Sequence, residues 1–416
     1  MQQATYQCDF LCYSPHRIVS APPNRERSPM TPSPWHPRYV ITPAIARSLM
    51  EIEAARAVVA ETPLPLAVEA ELRRLARIRS THFSTRIEGN RLTLAEAEEA
   101  ISGREIEGRE RDVAEVRNYW AALLRVEEWA AEKKPLSEEL IRRLHALVTK
   151  GTGSETGPRG EARGGARPKP TPYRDGQNVI RDSATGAIVY LPPEAKDVPA
   201  LMAAMVRWAE EAEKEVIPVP LIAALVHYQL VTIHPYYDGN GRTARLLATF
   251  ILHRGGYGLN GLFSLEELHS QDLEGYYRAL AAHPHHNYYE GREDADLTPW
   301  LEYFIETTAR VFRMAREGAL RSAREGVPTE PEELRRLDPR ARAVLALFSK
   351  RELIKTSDVA EALGLSRRMA RALIRGWVED GWLVVADPSK RGRSYELSAI
   401  YRQYVGGLSA MPPGEE

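Results

Sequence analysis

The segment that most constrains this chain is PLIAALVHYQLVTI, residues 220–233, because it is apolar on nearly every side. A helix without a polar face must be buried all round, so the segment predicts the central helix of a helical core. Pro220 suits the first turn of such a helix, and Pro235 requires the helix to end by His234. The segment is shorter than the ~18 apolar residues that read as a transmembrane helix, and we expect no membrane association.

The patterns around this segment are also mostly helical. Thr93 and Glu96 form the residue pair of a capping box, and Ser137 can cap a helix with the sequence EELIRRLHALV. One stretch differs, because residues 178–181 and 187–191 are rich in β-forming side chains and are separated by a glycine turn. The predicted fold class is therefore mainly α, with one small β-hairpin in the helical core.

Length and composition limit the class of protein. A chain of 416 residues has room for two or three domains, and a net charge of -1 gives no overall attraction to nucleic acids or membranes. Cys8 and Cys12 are too few for a disulfide framework, so we expect a cytoplasmic protein. The first 30 residues lack the apolar centre of a secretory signal, and the sequence leaves open whether translation starts at Met1 or Met30.

Directly after the central helix comes HPYYDGNGRTAR, a stretch whose residue types suit a phosphate site. Gly239 and Gly241 let backbone N–H groups converge at the start of the next helix, where the helix dipole favours an anion. Arg242 and Arg245 lie three residues apart, so we expect both guanidinium groups to extend from one face of the first turn. Two such groups suit a polyphosphate better than a single carboxylate.

The same stretch carries an acid and a histidine. Asp238 lies beside the glycine turn, and a carboxylate at a phosphate site usually holds a divalent cation such as Mg2+. His234, at the end of the central helix, is placed to accept a proton from an incoming nucleophile. Together these residues predict phosphoryl or nucleotidyl transfer.

This stretch resembles the signature of the Fic family, HxFx[D/E]GNGRxxR. Tyr236 stands where the family usually has phenylalanine, and we expect its ring to stay in the core with a partner for its hydroxyl group. The family has an all-helical core with a β-hairpin flap, and most members transfer AMP from ATP to a hydroxyl side chain of a target protein. The resemblance implies ATP as substrate, Mg2+ as cofactor and a protein partner that offers Ser, Thr or Tyr. The signature matches at His234, Asp238, Gly239, Asn240, Gly241, Arg242 and Arg245.

The resemblance also implies a role for each matching residue. His234 would deprotonate the target hydroxyl, and Asp238 would hold Mg2+. Asn240, with the backbone of the two glycines beside it, would stabilise the charge that develops on the α-phosphate. Arg242 and Arg245 would clamp the β- and γ-phosphates of ATP.

Two further regions take roles from the same resemblance. The predicted hairpin resembles the flap, and its exposed edge at Val179, Ile180 and Arg181 could pair with an extended target segment by strand addition. Family members often carry a tyrosine pair in the adenosine pocket, and this chain offers Tyr276 and Tyr277 in EGYYRAL, with Asn287 as a weaker candidate.

A second motif, STRIEGN at residues 84–90, resembles the inhibitory motif of the family, [S/T]xxxE[G/N]. Glu88 would pair bidentately with Arg245 and occupy the seat of the γ-phosphate. ATP bound beside it would hold its α-phosphate out of line for attack. Ser84, one turn earlier, would fix the helix or form a local hydrogen bond. The alternative to an inhibitory role is that Glu88 is a solvent-exposed acid near the C-terminus of a helix. The helix dipole disfavours an acid at that position.

The C-terminal part has the pattern of a winged helix-turn-helix domain, three helices followed by a strand pair. Residues 338–402 contain 13 Lys and Arg against 8 Asp and Glu, a net charge of +5. Arg367, Arg368 and Arg371 cluster on the third helix, which Ser366 can cap, and further basic residues lie at the wing. We predict DNA binding, with a protein contact as the alternative.

The predicted function is therefore a protein adenylyltransferase restrained by Glu88. Two alternatives remain open: transfer of another nucleotide or phosphate-bearing group, and a DNA-binding regulator that uses the Fic domain as a nucleotide sensor. The sequence also leaves open the target, self-modification, removal of AMP, and the oligomeric state, with a homodimer among the choices. The predicted organisation is a flexible arm (1–38), a helical region with the inhibitory helix (39–135), the Fic core (136–321), a linker (322–338), the winged helix-turn-helix domain (339–405) and a tail (406–416).

Overall fold

A computed structural model of the chain describes residues 35–62, 64, 66–152, 169–181, 186–281, 283–284, 286–324, 337–349, 351–363, 365–389 and 393–402. The predictions for Cys8, Cys12 and Met30 fall outside these residues. The chain divides into two compact units, one of Met1–Ala57 with Arg77–Ala315 and one of Val58–Ala76 with Arg316–Glu416. Among the described residues, no helix has the length and apolar character to cross a membrane.

The chain up to residue 324 is built almost entirely from helices, which confirms the predicted fold class. Short 3-10 turns occur at Leu259–Gly261 and Arg292–Asp294. The helices are α1 (Pro43–Glu61), α2 (Leu66–Ile87), α3 (Leu94–Ile101), α4 (Glu110–Ala131), α5 (Glu138–Val148), α6 (Val198–Lys214), α7 (Val219–Ile233), α8 (Asn240–Arg254), α9 (Leu265–Gln271), α10 (Leu273–Leu280) and α11 (Thr298–Arg324).

Helix α7 is the predicted central helix, and it is buried on all sides. Leu225, Val226 and Leu230 are fully buried, and α7 packs against α6 and α8. Trp300 on α11 donates its indole N–H to the carbonyl of Ala224 at 2.8 Å, which ties a further helix to the same core. The apolar sequence therefore produces a helix whose C-terminal end is held rigidly inside the larger unit.

Local sequence determines where several helices begin. The predicted capping box of α3 is formed, with the Thr93 hydroxyl accepting from the Glu96 N–H and the Glu96 carboxylate accepting from the Thr93 N–H. Ser137 caps α5 by accepting from the Leu140 N–H at 3.2 Å.

The predicted hairpin is present as strands β1 (Ile180–Arg181) and β2 (Ile188–Tyr190), which pair antiparallel. These strands are shorter than the predicted runs. The Tyr190 side chain is buried, and its hydroxyl donates to the carbonyl of Thr232 near the end of α7 at 2.7 Å. The hairpin is therefore anchored at its base to the central helix.

The second unit, here called the C-terminal unit, contains four helices after residue 324 among the described residues. They are α12 (Pro339–Leu345), α13 (Thr356–Ala362), α14 (Arg367–Glu379) and α15 (Ala399–Arg402). Ser366 caps α14, as predicted, by accepting from the Met369 N–H at 3.3 Å. An antiparallel sheet has the order β3 (Ile354–Lys355), β5 (Ser394–Leu397), β4 (Leu383–Asp387), and the sequence did not predict its first, two-residue strand. Buried aromatic side chains, including Trp377 and Trp382, fill the core of this unit.

Candidate active site

The candidate site is the turn that joins α7 to α8. His234 ends α7 in the left-handed conformation, with φ 52° and ψ 58°, and Pro235 stops the helix from continuing. Gly239 precedes α8 with φ 75°, a value that glycine adopts without strain. The Asn240 side chain closes the turn, because it accepts from the Tyr236 N–H at 3.0 Å and donates to the Tyr236 carbonyl at 2.8 Å. This short turn leads from the end of α7 into α8, whose first N–H groups have no acceptor within the helix.

The tautomer of His234 follows from its hydrogen bond. Its Nδ1 lies 3.3 Å from the carbonyl of Val231, and a carbonyl can only accept, so Nδ1 carries the hydrogen. In a neutral ring, Nε2 then holds the lone pair. The pKa of His234 is lowered to about 4, mainly by burial. The Val231 bond and the charges of Glu88 and Asp238 act to raise this pKa, and the positive charge of Arg174 acts to lower it. The ring is thus neutral at pH 7, the state that a general base requires.

Arg245 contacts the motif that the sequence identified as inhibitory. Its Nε donates to the Ser84 hydroxyl at 2.8 Å, and its Nη2 donates to the Ser84 carbonyl at 3.0 Å and to Glu88 Oε1 at 2.8 Å. Burial is the largest single effect on Arg245 and lowers its pKa. The charge of Glu88, the nearby Tyr276 and Tyr119, and the hydrogen bond to Glu88 together exceed it and raise the pKa. The guanidinium is thus divided between Ser84 and Glu88, where the sequence suggested a bidentate pair with Glu88.

Arg242 faces a different set of acids. Its side chain is only 2% exposed, and its Nη2 donates to Asp238 Oδ1 at 3.3 Å. Its Nη1 lies 3.8 Å from Oε1 of Glu115, a buried acid on α4. The two signature arginines therefore contact acids from separate parts of the fold, and Glu115 is a partner that the sequence analysis missed. An acid on the apolar face of α4, between Val113 and Val116, was the available indication.

Asp238 is the candidate ligand for Mg2+. Its side chain is partly exposed, and Oδ1 accepts from the Gly239 N–H at 2.6 Å and from Arg242. The described residues contain no group of three or more His, Cys, Asp or Glu side chains that could hold a metal ion by themselves. A single carboxylate is sufficient when Mg2+ keeps its waters and binds the phosphates of a nucleotide. Asp238 therefore fits the role of a protein ligand for an Mg2+ ion whose other ligands are waters and phosphate oxygens.

Two residues outside the signature hold the turn in place, and the sequence analysis identified neither. His145 on α5 donates from Nε2 to the Asp238 carbonyl at 2.7 Å, and its ring stacks on Tyr236 with centroids 3.7 Å apart. Arg174 donates from Nε to the His234 carbonyl at 2.9 Å. The Tyr236 ring is buried as expected, but its hydroxyl has no hydrogen-bond partner among the described residues.

The two tyrosines predicted for an adenosine pocket occupy different environments. Tyr276 is 1% exposed, and its hydroxyl hydrogen-bonds to Nε2 of His227 at 3.2 Å, so its ring belongs to the core. Tyr277 is partly exposed, with its ring centroid 5.3 Å from that of Tyr276. Only Tyr277 of the pair therefore presents part of its side chain to solvent.

Within the part of the chain that the structure describes, the hairpin has one covered edge and one edge that pairs with no strand. Asn287 forms a parallel bridge with Leu191, directly after β2, and the Tyr288 N–H donates to the Leu191 carbonyl at 3.1 Å. This places Asn287 beside the hairpin. Strand β1 pairs only with β2 among the described residues, so Ile180 and Arg181 lie on an edge strand.

Comparisons with known proteins agree on one family. Residues 135–252 match the Fic/DOC family model. The protein adenylyltransferase Fic of Nematostella vectensis is 33% identical over 138 residues, which is 33% of this chain and 27% of that protein. The protein of the same name from Drosophila melanogaster is 44% identical over 68 residues, 16% of this chain and 14% of that protein. This chain thus spans less than a third of the length of these relatives.

Solved structures show the same fold. A Fic family protein from Desulfovibrio desulfuricans matches with a TM-score of 0.54 and 27% identity, covering 88% of this chain and 99% of that one. A Fic domain containing signaling protein from Bacteroides thetaiotaomicron matches with a TM-score of 0.54 and 25% identity, covering 67% of this chain and 97% of that one.

Proposed function

We propose that the protein, whose residues 135–252 match the Fic/DOC family model, is an adenylyltransferase that transfers AMP from ATP to a hydroxyl group of a target protein. One observation carries the proposal: the neutral ring of His234, with its lone pair on Nε2, ends α7 directly before the glycine turn that begins α8. Nucleotidyl transfer uses both a general base for the attacking hydroxyl and an anion-binding site for the phosphates.

The reaction follows from these parts. His234 Nε2 takes the proton of the target hydroxyl, and the oxygen attacks the α-phosphorus of ATP. The bond between the α-phosphorus and the bridging oxygen to the β-phosphate breaks, and pyrophosphate leaves. N–H groups at the start of α8 stabilise the negative charge on the α-phosphate oxygens, and Arg245 would bind the terminal phosphates once Glu88 is displaced. Mg2+ held by Asp238 would neutralise part of the phosphate charge.

The target segment would bind along β1. Ile180 and Arg181 form β1 and Val179 lies directly before it, and an extended peptide can add to the edge of β1 that faces away from β2 through main-chain hydrogen bonds. Since the base of the hairpin is tied to α7 through Tyr190, a segment paired with β1 would be held near His234.

Glu88 would restrain this activity. A Cβ atom on Gly241 would overlap with Glu88 Oε1, so the carboxylate lies directly over the first turn of α8. An anion at that position competes with a phosphate for the same N–H groups and for Arg245. We therefore propose that Glu88 occupies the position of the γ-phosphate and that its removal raises the rate of transfer.

The experiment compares the wild type with Glu88→Gly, His234→Ala and the double variant, each incubated with Mg2+ and ATP labelled on either the α- or the γ-phosphate. We expect strong protein labelling from α-labelled ATP in Glu88→Gly alone, and none from γ-labelled ATP. Mass spectrometry of the labelled protein then identifies the group transferred. Labelling from γ-labelled ATP, or none in Glu88→Gly with cell lysate as target source, would disprove the proposal.

Glu267→Ala provides a matched control for the role of Glu88. Glu267 on α9 pairs with Arg79 on α2 at 2.8 Å, so its loss removes another ion pair of the same helix without changing Arg245. We expect this variant to remain as inactive as the wild type. An active Glu267→Ala variant would mean that general loosening of α2 causes the release.

A second function is supported by the C-terminal unit, for which we propose binding to duplex DNA through a winged helix-turn-helix domain. Arg367, Arg368, Arg371 and Arg375 are all exposed on α14. Three of them follow an i, i+4, i+8 spacing, which aligns guanidinium groups along one side of a helix. Such a row suits the phosphates that border a groove.

Titration of duplex DNA at several salt concentrations tests this function. We expect affinity to fall steeply with salt, and the slope of log K against log[salt] to decrease by about 0.9 for each phosphate that Arg367→Ala or Arg368→Ala no longer neutralises. Arg402→Ala is the control, because Arg402 in the same unit already pairs with Glu396 at 2.8 Å. Equal binding by the Arg367 and Arg402 variants would exclude α14 as the contact surface.

A further inference from the structure

Arg174 is a buried arginine that binds backbone carbonyls from three segments. The residue lies in the loop before the hairpin and is only 3% exposed. Nε donates to the His234 carbonyl at 2.9 Å, Nη1 donates to the Gly176 carbonyl at 2.9 Å, and Nη2 donates to the Pro193 carbonyl. Its backbone N–H also donates to the Pro235 carbonyl at 2.9 Å. Burial lowers the pKa of Arg174, so this placement costs free energy that the carbonyl bonds must offset.

The carbonyl that Arg174 holds belongs to a strained residue. His234 is not glycine, yet it has φ 52°, and a left-handed backbone costs such a residue about 1–2 kcal/mol. This conformation determines where the imidazole projects from the end of α7. A charged hydrogen bond to the His234 carbonyl and a backbone bond to Pro235 hold both sides of the turn in this conformation.

The third carbonyl links the same guanidinium to the hairpin. Pro193 lies shortly after β2. Two residues near Arg174 in the chain also bond to carbonyls beside Pro193 and in the turn after α7. Gln177 donates to the Pro192 carbonyl at 2.9 Å, and Asn178 donates to the Tyr236 carbonyl at 3.2 Å. Arg174 differs from these two residues because one side chain reaches both the end of the hairpin and His234.

We propose that Arg174 is a positioning residue that joins the root of the hairpin to the backbone of His234, so that a target segment bound on the hairpin and the general base are held as one unit. The inference rests on the proposed function, because only that function makes His234 the general base. Arg174 itself has no contact with ATP in this proposal. Loss of Arg174 should therefore affect the chemical step and leave nucleotide binding intact.

The experiment uses the full chain with Glu88→Gly as background and adds Arg174→Lys or Arg174→Met. Lysine keeps the charge but cannot reach three carbonyls in a planar fork. We expect kcat for AMP transfer to fall about 100-fold in both variants, since small misplacements of a reacting group have effects of this size. The Kd for MgATP should stay unchanged. Arg142→Met is the control, because Arg142 donates to the Thr171 carbonyl of the same loop at 2.8 Å without contacting His234.

A second readout does not depend on activity. The imidazole 15N signals of His234, assigned by their loss in His234→Ala, should shift in both Arg174 variants and not in Arg142→Met. Unshifted signals in folded Arg174→Lys, or a Kd for MgATP that weakens in step with kcat, would overturn the inference. An inactive Glu88→Gly background would instead refute the proposed function, and the His234 signals would still decide the role of Arg174.

Discussion

The contact between Glu88 and the first turn of α8 makes a prediction about Gly241. A methyl group at Gly241 would overlap with Glu88 Oε1 and would lie 3.2 Å from Arg245 Nη1. To reach an ordinary van der Waals separation, the carboxylate oxygen must move by roughly 1 Å. Such a shift breaks its hydrogen bond to Arg245 Nη2, which is now 2.8 Å long.

The magnitude follows from two opposing effects of Gly241→Ala. Loss of a charged hydrogen bond costs about 1.5–3 kcal/mol in the free energy of unfolding. Replacing glycine by alanine inside a helix returns about 0.5–1 kcal/mol. The variant should therefore be destabilised by about 0.5–2.5 kcal/mol in the wild type. In the Glu88→Gly background the methyl group has no carboxylate to displace, so the same change should stabilise the protein.

Urea denaturation of the wild type, both single variants and the double variant measures this coupling. We expect an interaction free energy of about 1.5–3 kcal/mol between the two positions, the value of the broken hydrogen bond. A coupling below about 0.5 kcal/mol, the limit within which independent sites add, would mean that Glu88 does not lie on α8 in solution. The proposal that the Glu88 carboxylate occupies the γ-phosphate position would then be refuted.

Three further predictions concern stability. Burial lowers the pKa of His234 to about 4 and of His269 to about 3, whereas an unfolded histidine titrates near 6.5. The unfolded chain therefore binds more protons below pH 6.5, and the free energy of unfolding, measured with urea, should decrease as the pH falls from 6.5 towards 4. Asn90→Ala removes a donor at 3.1 Å from buried Glu115 and should cost about 1–3 kcal/mol in the same assay, unlike a change at an exposed asparagine. Ser366→Ala removes the cap of α14 and should cost about 1 kcal/mol in the C-terminal unit alone, measured by hydrogen exchange of its amides.

Much of the site could be predicted because its residues are close in sequence. The apolar segment before Pro235 dictates a buried helix that ends at His234, and the two glycines dictate a turn into α8. The tautomer of His234 could not be predicted, since it depends on the Val231 carbonyl and the packing around it. The burial of Tyr276 could not be predicted either, because a tyrosine on an amphipathic helix can face the core or a pocket.

Chain-distant contacts account for the residues that were missed. Arg174 and His145 carry no local pattern that distinguishes them from surface residues, and the only local sign for Glu115 is its place on the apolar face of α4. Each of the three acts on the site from a different element. An arginine in a polar loop is ordinarily solvated, and only the folded chain places its guanidinium among buried carbonyls. The division of Arg245 between Ser84 and Glu88 has the same origin, because it depends on the angle at which α2 meets α8.

By itself, the sequence determined the helical class, the position of the turn and the chemical groups it carries, since these depend on hydrophobic period, proline and glycine within one short segment. The tertiary structure decided which acid each arginine contacts, how the base is held and which aromatic rings remain accessible. These contacts depend on how elements far apart in the chain pack against one another. Local backbone and side-chain preferences do not determine that packing.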